Sequence, residues 1–275
     1  MPEFDTPAPI RIRVELTAGE VSLRLSDTTV TRVEVDSSWD DAVDQTRVEL
    51  HGDELLVVGP RRSGLFRSTP EIEVVIEAPT GSSLDAELHS ADLDVAGTLA
   101  RARVRTGSGD VALDRVTDEL RADSGSGDVR VAYAGGGGAL RAGSGDLEVE
   151  AIGGGRLQCN TGSGDIALGR VEAAADLRSG SGDVSVQDSS AELVASTASG
   201  DQQVRRAWAG TLRLRSASGD VHVGISGGAA AWLDITTVSG SVNSVLDRSS
   251  EPGDDEARVA VHVSTVSGDV DLVRS

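Results

Sequence analysis

The chain has 275 residues, 38% of them hydrophobic but only 2% aromatic, and it carries a formal net charge of −20. That length holds one large or two modest domains, and the scarcity of aromatics calls for a narrow core filled by Val, Ala and Leu. Such acidity excludes a nucleic-acid or anionic-membrane footprint, which needs clustered basic charge, and leaves cations or basic partners open.

The opening MPEFDTPAPIRIRVEL has no charged segment followed by an apolar run, so no export signal is expected there. No stretch approaches the roughly 18 apolar residues of a membrane-spanning helix. The expectation is a cytoplasmic protein without membrane insertion. Every basic residue is Arg, which with abundant Ala, Gly, Asp and Val fits a GC-rich bacterial genome.

Residues 1–80 read as an irregular β cap or distorted first coils. RIRVEL at 11–16, VSLRL at 21–25, VTRVEV at 30–35, ELLVV at 54–58 and EIEVVI at 71–76 all read as strands. Ala18-Gly19-Glu20 resembles a worn copy of a turn that recurs further on. The loop GPRRSGLFRSTP at 59–70 sets Arg61, Arg62 and Arg67 around Phe66. It is the candidate contact for a partner or an anion, against the plainer reading of a solvated loop touching acidic neighbours.

From residue 81 the chain is periodic. Ser-Gly-Asp begins at 108, 126, 144, 163, 181, 199 and 218, in steps of 18 or 19. Ser90-Ala91-Asp92 precedes the series by 18, and Ser239-Gly240-Ser241 and Ser267-Gly268-Asp269 follow at steps of 21 and 28. Both flanks of each motif alternate apolar with polar, as in Leu157-Gln-Cys159 and Val184-Ser-Val186, so each repeat is strand, turn, strand and return loop. Two short strands cannot close a core, but stacked copies can, each strand pairing with its counterpart about 4.8 Å away. The expected fold is therefore all-β: a single-stranded β-solenoid, β-helix-like, with coils of about 18 residues, spanning 81–275. An acidic loop is inserted at 244–258.

A sharp corner in this repeat suggests glycine for its access to positive φ. The flanking Ser and Asp suggest side-chain bonds to nearby backbone N–H groups. On that reading Asp110, Asp128, Asp146, Asp165, Asp183, Asp201 and Asp220 form a structural turn ladder. Two other readings compete: a row of carboxylates that binds Ca²⁺, and one that grips a repetitive basic or sugar ligand.

The remaining chemistry is sparse. Cys159, the one cysteine, forms no intramolecular disulfide and falls on the inward face of its strand. His51, His89, His222 and His262 lack metal-ligand spacing. Without Lys there is no phosphate-binding loop of the Walker type. Trp39, Trp208 and Trp232 come from different repeat phases, which favours sealed loops over a sugar platform. No cofactor is expected, and no enzyme. The final DVDLVRS has no covering element after it, so its edge reads as a template for another chain, unless Asp271 and Arg274 guard it.

These residues resemble a bacterial β-strand-repeat family of unknown function labelled "putative adhesin". The likeness is carried by the N-terminal β segment, the lead-in Ala78-Pro-Thr-Gly81 and the tandem S-G-D-V turns. It implies a β-solenoid and defines no catalytic residues. The expected function is a non-enzymatic scaffold or interaction protein with a rigid β surface for a protein partner. The alternatives are a filament assembled end to end and an exported adhesin or carbohydrate-binding protein.

Overall fold

The computed structural model describes residues 2–60, 70–245 and 258–275. The chain is an all-β solenoid that divides into two compact units, 1–136 and 137–275.

In the first unit, β1 (Glu3–Asp5), β2 (Arg11–Ser26) and β3 (Val30–Ser37) precede a one-turn helix α1 (Asp40–Gln45). β4 (Arg47–His51), β5 (Glu54–Val58), β6 (Ile72–Pro79), β7 (Ser83–Thr106), β8 (Val111–Ser124) and β9 (Val129–Ala134) follow. The worn turn stacks in register with a regular one: Ala18, Gly19 and Glu20 of β2 lie beside Ser90, Ala91 and Asp92 of β7. The first coil of the sequence is not the outermost in space. β2 lies between β7 on one side and β5 and β6 on the other, all parallel. Outside these, β4 covers β5 and β3 covers β6, both antiparallel, with β1 on β3. Of these elements, α1 and β4 carry no alternation strong enough to read from sequence.

The second unit alternates two parallel faces. One is built from β10 (Gly138–Ala142), β12 (Arg156–Thr161), β14 (Ala174–Ser179), β16 (Leu193–Thr197) and β18 (Gly210–Ser218). The other is built from β11 (Leu147–Ile152), β13 (Ile166–Val171), β15 (Val184–Ser189), β17 (Gln202–Ala207) and β19 (Val221–Ile225). Inward side chains of successive coils meet directly: Leu140, Cys159, Leu177, Ala195 and Leu214 form one column of buried residues. Large and small residues alternate along it, a pattern that lets successive layers of a thin core interdigitate. Among the described residues no aromatic side chain is buried.

The last coils change order. β20 (Ala230–Ser239) and β21 (Val242–Ser244) come next in the chain, yet β22 (Arg258–Ser267) pairs with both β18 and β20. β23 (Val270–Arg274) likewise pairs with both β19 and β21. The edge expected at DVDLVRS is thus closed on both sides. Asp271 accepts from Asn243 Nδ2 at 3.1 Å, and Arg274 Nη1 donates to the carbonyls of Ser226 and Ala229 at 3.0 and 2.7 Å. These two residues knit neighbouring coils together.

The glycine of the motif has a different reason from the one its turn suggests. None of Gly109, Gly127, Gly164, Gly182, Gly200, Gly219 or Gly268 has positive φ. A Cβ on Gly182 would overlap the carbonyl oxygen of Gly164, and one on Gly200 that of Gly182. Stacked corners approach so closely that only a hydrogen fits. Positive φ is used at the opposite, return corners, at Gly97, Gly155 and Gly210.

Candidate interaction surface

Within each unit the aspartates of the motif are connected by hydrogen bonds that run from coil to coil. The N–H of Asp110 donates to Oδ1 of Asp92 at 2.8 Å, and that of Asp128 to Asp110 at 2.9 Å. In the second unit Asp165 donates to Asp146, Asp183 to Asp165, Asp201 to Asp183 and Asp220 to Asp201, each at 2.8 Å. The reordered coils continue the series: Asp269 donates to Asp220 at 2.8 Å and Ser241 to Asp269 at 2.7 Å. At the corner the strands part and the ladder between peptides lapses, so each carboxylate supplies the missing acceptor for the coil above. Such charge-assisted bonds offset the mutual repulsion of the row. Arg130 adds a counter-charge at 2.9 Å from Asp128. These bonds hold the Asp269 carboxyl below its usual range. Among the described residues no group of three or more His, Cys, Asp or Glu side chains is arranged to hold a metal ion.

A second ladder escaped the sequence reading. Two residues before the motif serine stands an inward Thr or Ser in most repeats. Thr106, Thr161 and Ser179 accept the N–H of Gly109, Gly164 and Gly182 at 3.0, 3.1 and 2.9 Å. The hydroxyls of Thr161 and Ser179 donate to the Gly145 and Gly164 carbonyls, both at 3.1 Å. The recurring [Ser/Thr]-x-Ser-Gly-Asp spacing was the available signal. Also unread was Gln202, which stands where its neighbours have Val184 and Val221 and is fully buried. Its Nε2 donates to Thr197 Oγ1 at 2.9 Å and to the Arg215 carbonyl at 2.6 Å.

The basic loop candidates Arg61, Arg62, Phe66 and Arg67 lie outside the described residues. Beside Gly59 and Pro60 the first unit has an open hollow of about 730 Å³ lined by Arg13, Glu15, Arg47, His51 and Glu54. Its charges are answered locally: Arg13 meets Glu15 at 2.9 Å, and Glu49 meets His51 at 2.9 Å and Arg47 at 3.7 Å. Cys159 is fully buried, and desolvation pushes its thiol up to about 12. A thiol so held is no nucleophile.

The tryptophans are separate. Trp39 precedes α1, Trp208 carries the Arg206 guanidinium 5.4 Å from its ring centre, and Trp232 contacts the His262 ring edge-on with centroids 4.9 Å apart. Trp232 belongs to the outermost coil of the second unit, where exposed apolar residues gather. It is 57% exposed, with Val238 at 78% and Val245 at 73%. β20 bonds to β22 alone and β21 to β23 alone among the described residues.

The family model described as Toastrack DUF4097 matches residues 11–134 and 115–273. Among solved structures, a candidate lipid-binding protein from Parabacteroides distasonis is 14% identical with a TM-score of 0.44, covering 100% of this chain and 95% of its own. A candidate adhesin from Bacteroides fragilis is 11% identical with a TM-score of 0.33, covering 100% and 95%. A candidate cell adhesion protein from Clostridium sporogenes is 10% identical with a TM-score of 0.29, covering 98% and 94%. No curated protein matches the sequence.

Proposed function

The chain belongs to the Toastrack DUF4097 family, and from that premise we propose that it is a non-enzymatic interaction module which offers the outer coil of its second unit to a protein partner. One observation carries the reading: β20 pairs on one side only among the described residues, with β22, while β22 and β23 are each paired on both sides. The absence of catalytic work is supported by the ladder itself. Its carboxylates sit in repeated, near-identical surroundings, whereas acid and base roles need environments that push two groups apart.

A filament needs two open ends. In the first unit β5 and β6 are covered by antiparallel neighbours, which favours binding over filament growth. The test is capture from lysate by the immobilised full chain, compared with Trp232→Ser and Trp39→Ser variants. The reading expects a defined protein to be lost with Trp232→Ser and kept with Trp39→Ser. Capture insensitive to Trp232 would sink it, as would the absence of any protein partner, a second copy of this chain included.

A further inference from the structure

An exposed strand edge is ordinarily protected by charge, proline or a covering element. The outermost strands of the first unit follow that rule, with Glu3 and Asp5 in β1 and Arg47, Glu49 and His51 in β4. Among the described residues, the outer coil of the second unit does not. Its sequence from 230 to 245, AAWLDITTVSGSVNSV, contains one charged residue, Asp234, in a chain that is 25% charged. Outward it shows Trp232 and Val238, while inward Leu233 and Ile235 are only half-buried.

The turn changes at the same place. Asp269 accepts the N–H of Ser241, but Ser241 has no carboxylate to accept from a coil stacked beyond it. A further parallel coil would therefore find its acceptor missing. Two copies of one edge related by a two-fold axis run antiparallel and do not need that ladder. A chain of net charge −20 also repels its own copy, except where the meeting surfaces are neutral.

We propose that β20 pairs antiparallel with β20 of a second copy, about a two-fold axis at Ile235, to make a closed dimer. This rests on the reading of the outer coil as the interaction surface and names its partner. The register sets Trp232 opposite Val238 of the second copy, an aromatic and β-branched pair of the kind that stabilises sheets. It sets Asp234 opposite Thr236 of the second copy, so the single charge avoids its own image. An axis at Asp234 would instead oppose two carboxylates.

Sedimentation velocity on the full chain over a hundredfold concentration range tests this. The 28.3 kDa chain is expected to shift to a species of twice that mass and no further. Thr236→Asp puts carboxylates opposite Asp234 at both symmetric positions and weakens association about tenfold, while Thr236→Arg strengthens it about tenfold at low salt. Thr236 is exposed, so neither change disturbs the core, and thermal midpoints unchanged at dilutions where the chain is monomeric confirm that. A monomer at every concentration, growth beyond the dimer, or both substitutions acting in the same direction overturns the proposal. If the chain stays monomeric while Trp232→Ser still abolishes capture of another protein, the second copy is the wrong partner and the interaction reading stands. If capture too is insensitive to Trp232, that reading fails on its own.

Discussion

The glycine of each Ser-Gly-Asp corner illustrates how one residue serves a stack and not its own turn. Gly182 has no unusual φ, but its missing Cβ lets the corner settle against the Gly164 carbonyl. Gly182→Ala should therefore cost on the order of 3 kcal/mol, the scale of severe overpacking, in a denaturant titration. Gly227, with open space around it and no positive φ, should accept Ala within about 0.5 kcal/mol. The aspartate beside the glycine gives a pH signature at the outermost rung. Asp269 has a folded pKa below the ordinary aspartate value of 3.8 because its carboxylate accepts from Ser241. A depressed folded pKa contributes stability above the unfolded value, and that contribution is lost as pH falls through the folded one. Exchange protection of the Ser241 amide should accordingly fade below pH 3.8, and Asp269→Asn, which keeps an acceptor oxygen, should remove that dependence.

Among elements, the terminal coil β22–β23 occupies an inner slot. It joins β18 and β19 on one side to β20 and β21 on the other. If coils stacked in chain order, deleting residues 258–275 would remove only an end and leave β20 packed on β18. In this arrangement the deletion removes the one described partner of β20 and β21, so their amides should lose all exchange protection while β12 to β17 keep theirs. Retained protection in β20 would show that the slot had closed up in chain order. Gln202 belongs to this scale as well. A position that is Val184 and Val221 in the neighbouring coils is here an amide, whose Nε2 donates to Thr197 and to the Arg215 carbonyl.

At the scale of the molecule, a thin core in which no described aromatic side chain is buried gains its order from many equal small contacts. Cooperative loss is then the expectation for the inner coils, and Cys159 is a natural reporter. Buried, with its thiol pushed up to about 12, it should resist a thiol reagent in native buffer. It should react only at the rate at which its unit opens. Rapid labelling in native buffer would mean that the coils around it open locally.

By itself the sequence determined the all-β class, the 18-residue coil, the inward face that includes Cys159, and the corner aspartates as a row. All of these follow from a period repeated many times, since alternation fixes the face and the motif fixes the corner. The hydroxyls of Thr106, Thr161 and Ser179 were legible in the same spacing but were masked by the louder motif. Only the tertiary structure decided why glycine is needed, because the distance between one corner and the next exists only once coils are stacked. It alone decided the order of the end coils too. Every coil offers the same register to its neighbours, so the repeat specifies slots but not which segment fills them. The long steps around β2 and β22 let the first and last coils of the chain take inner places, leaving β20 at the edge.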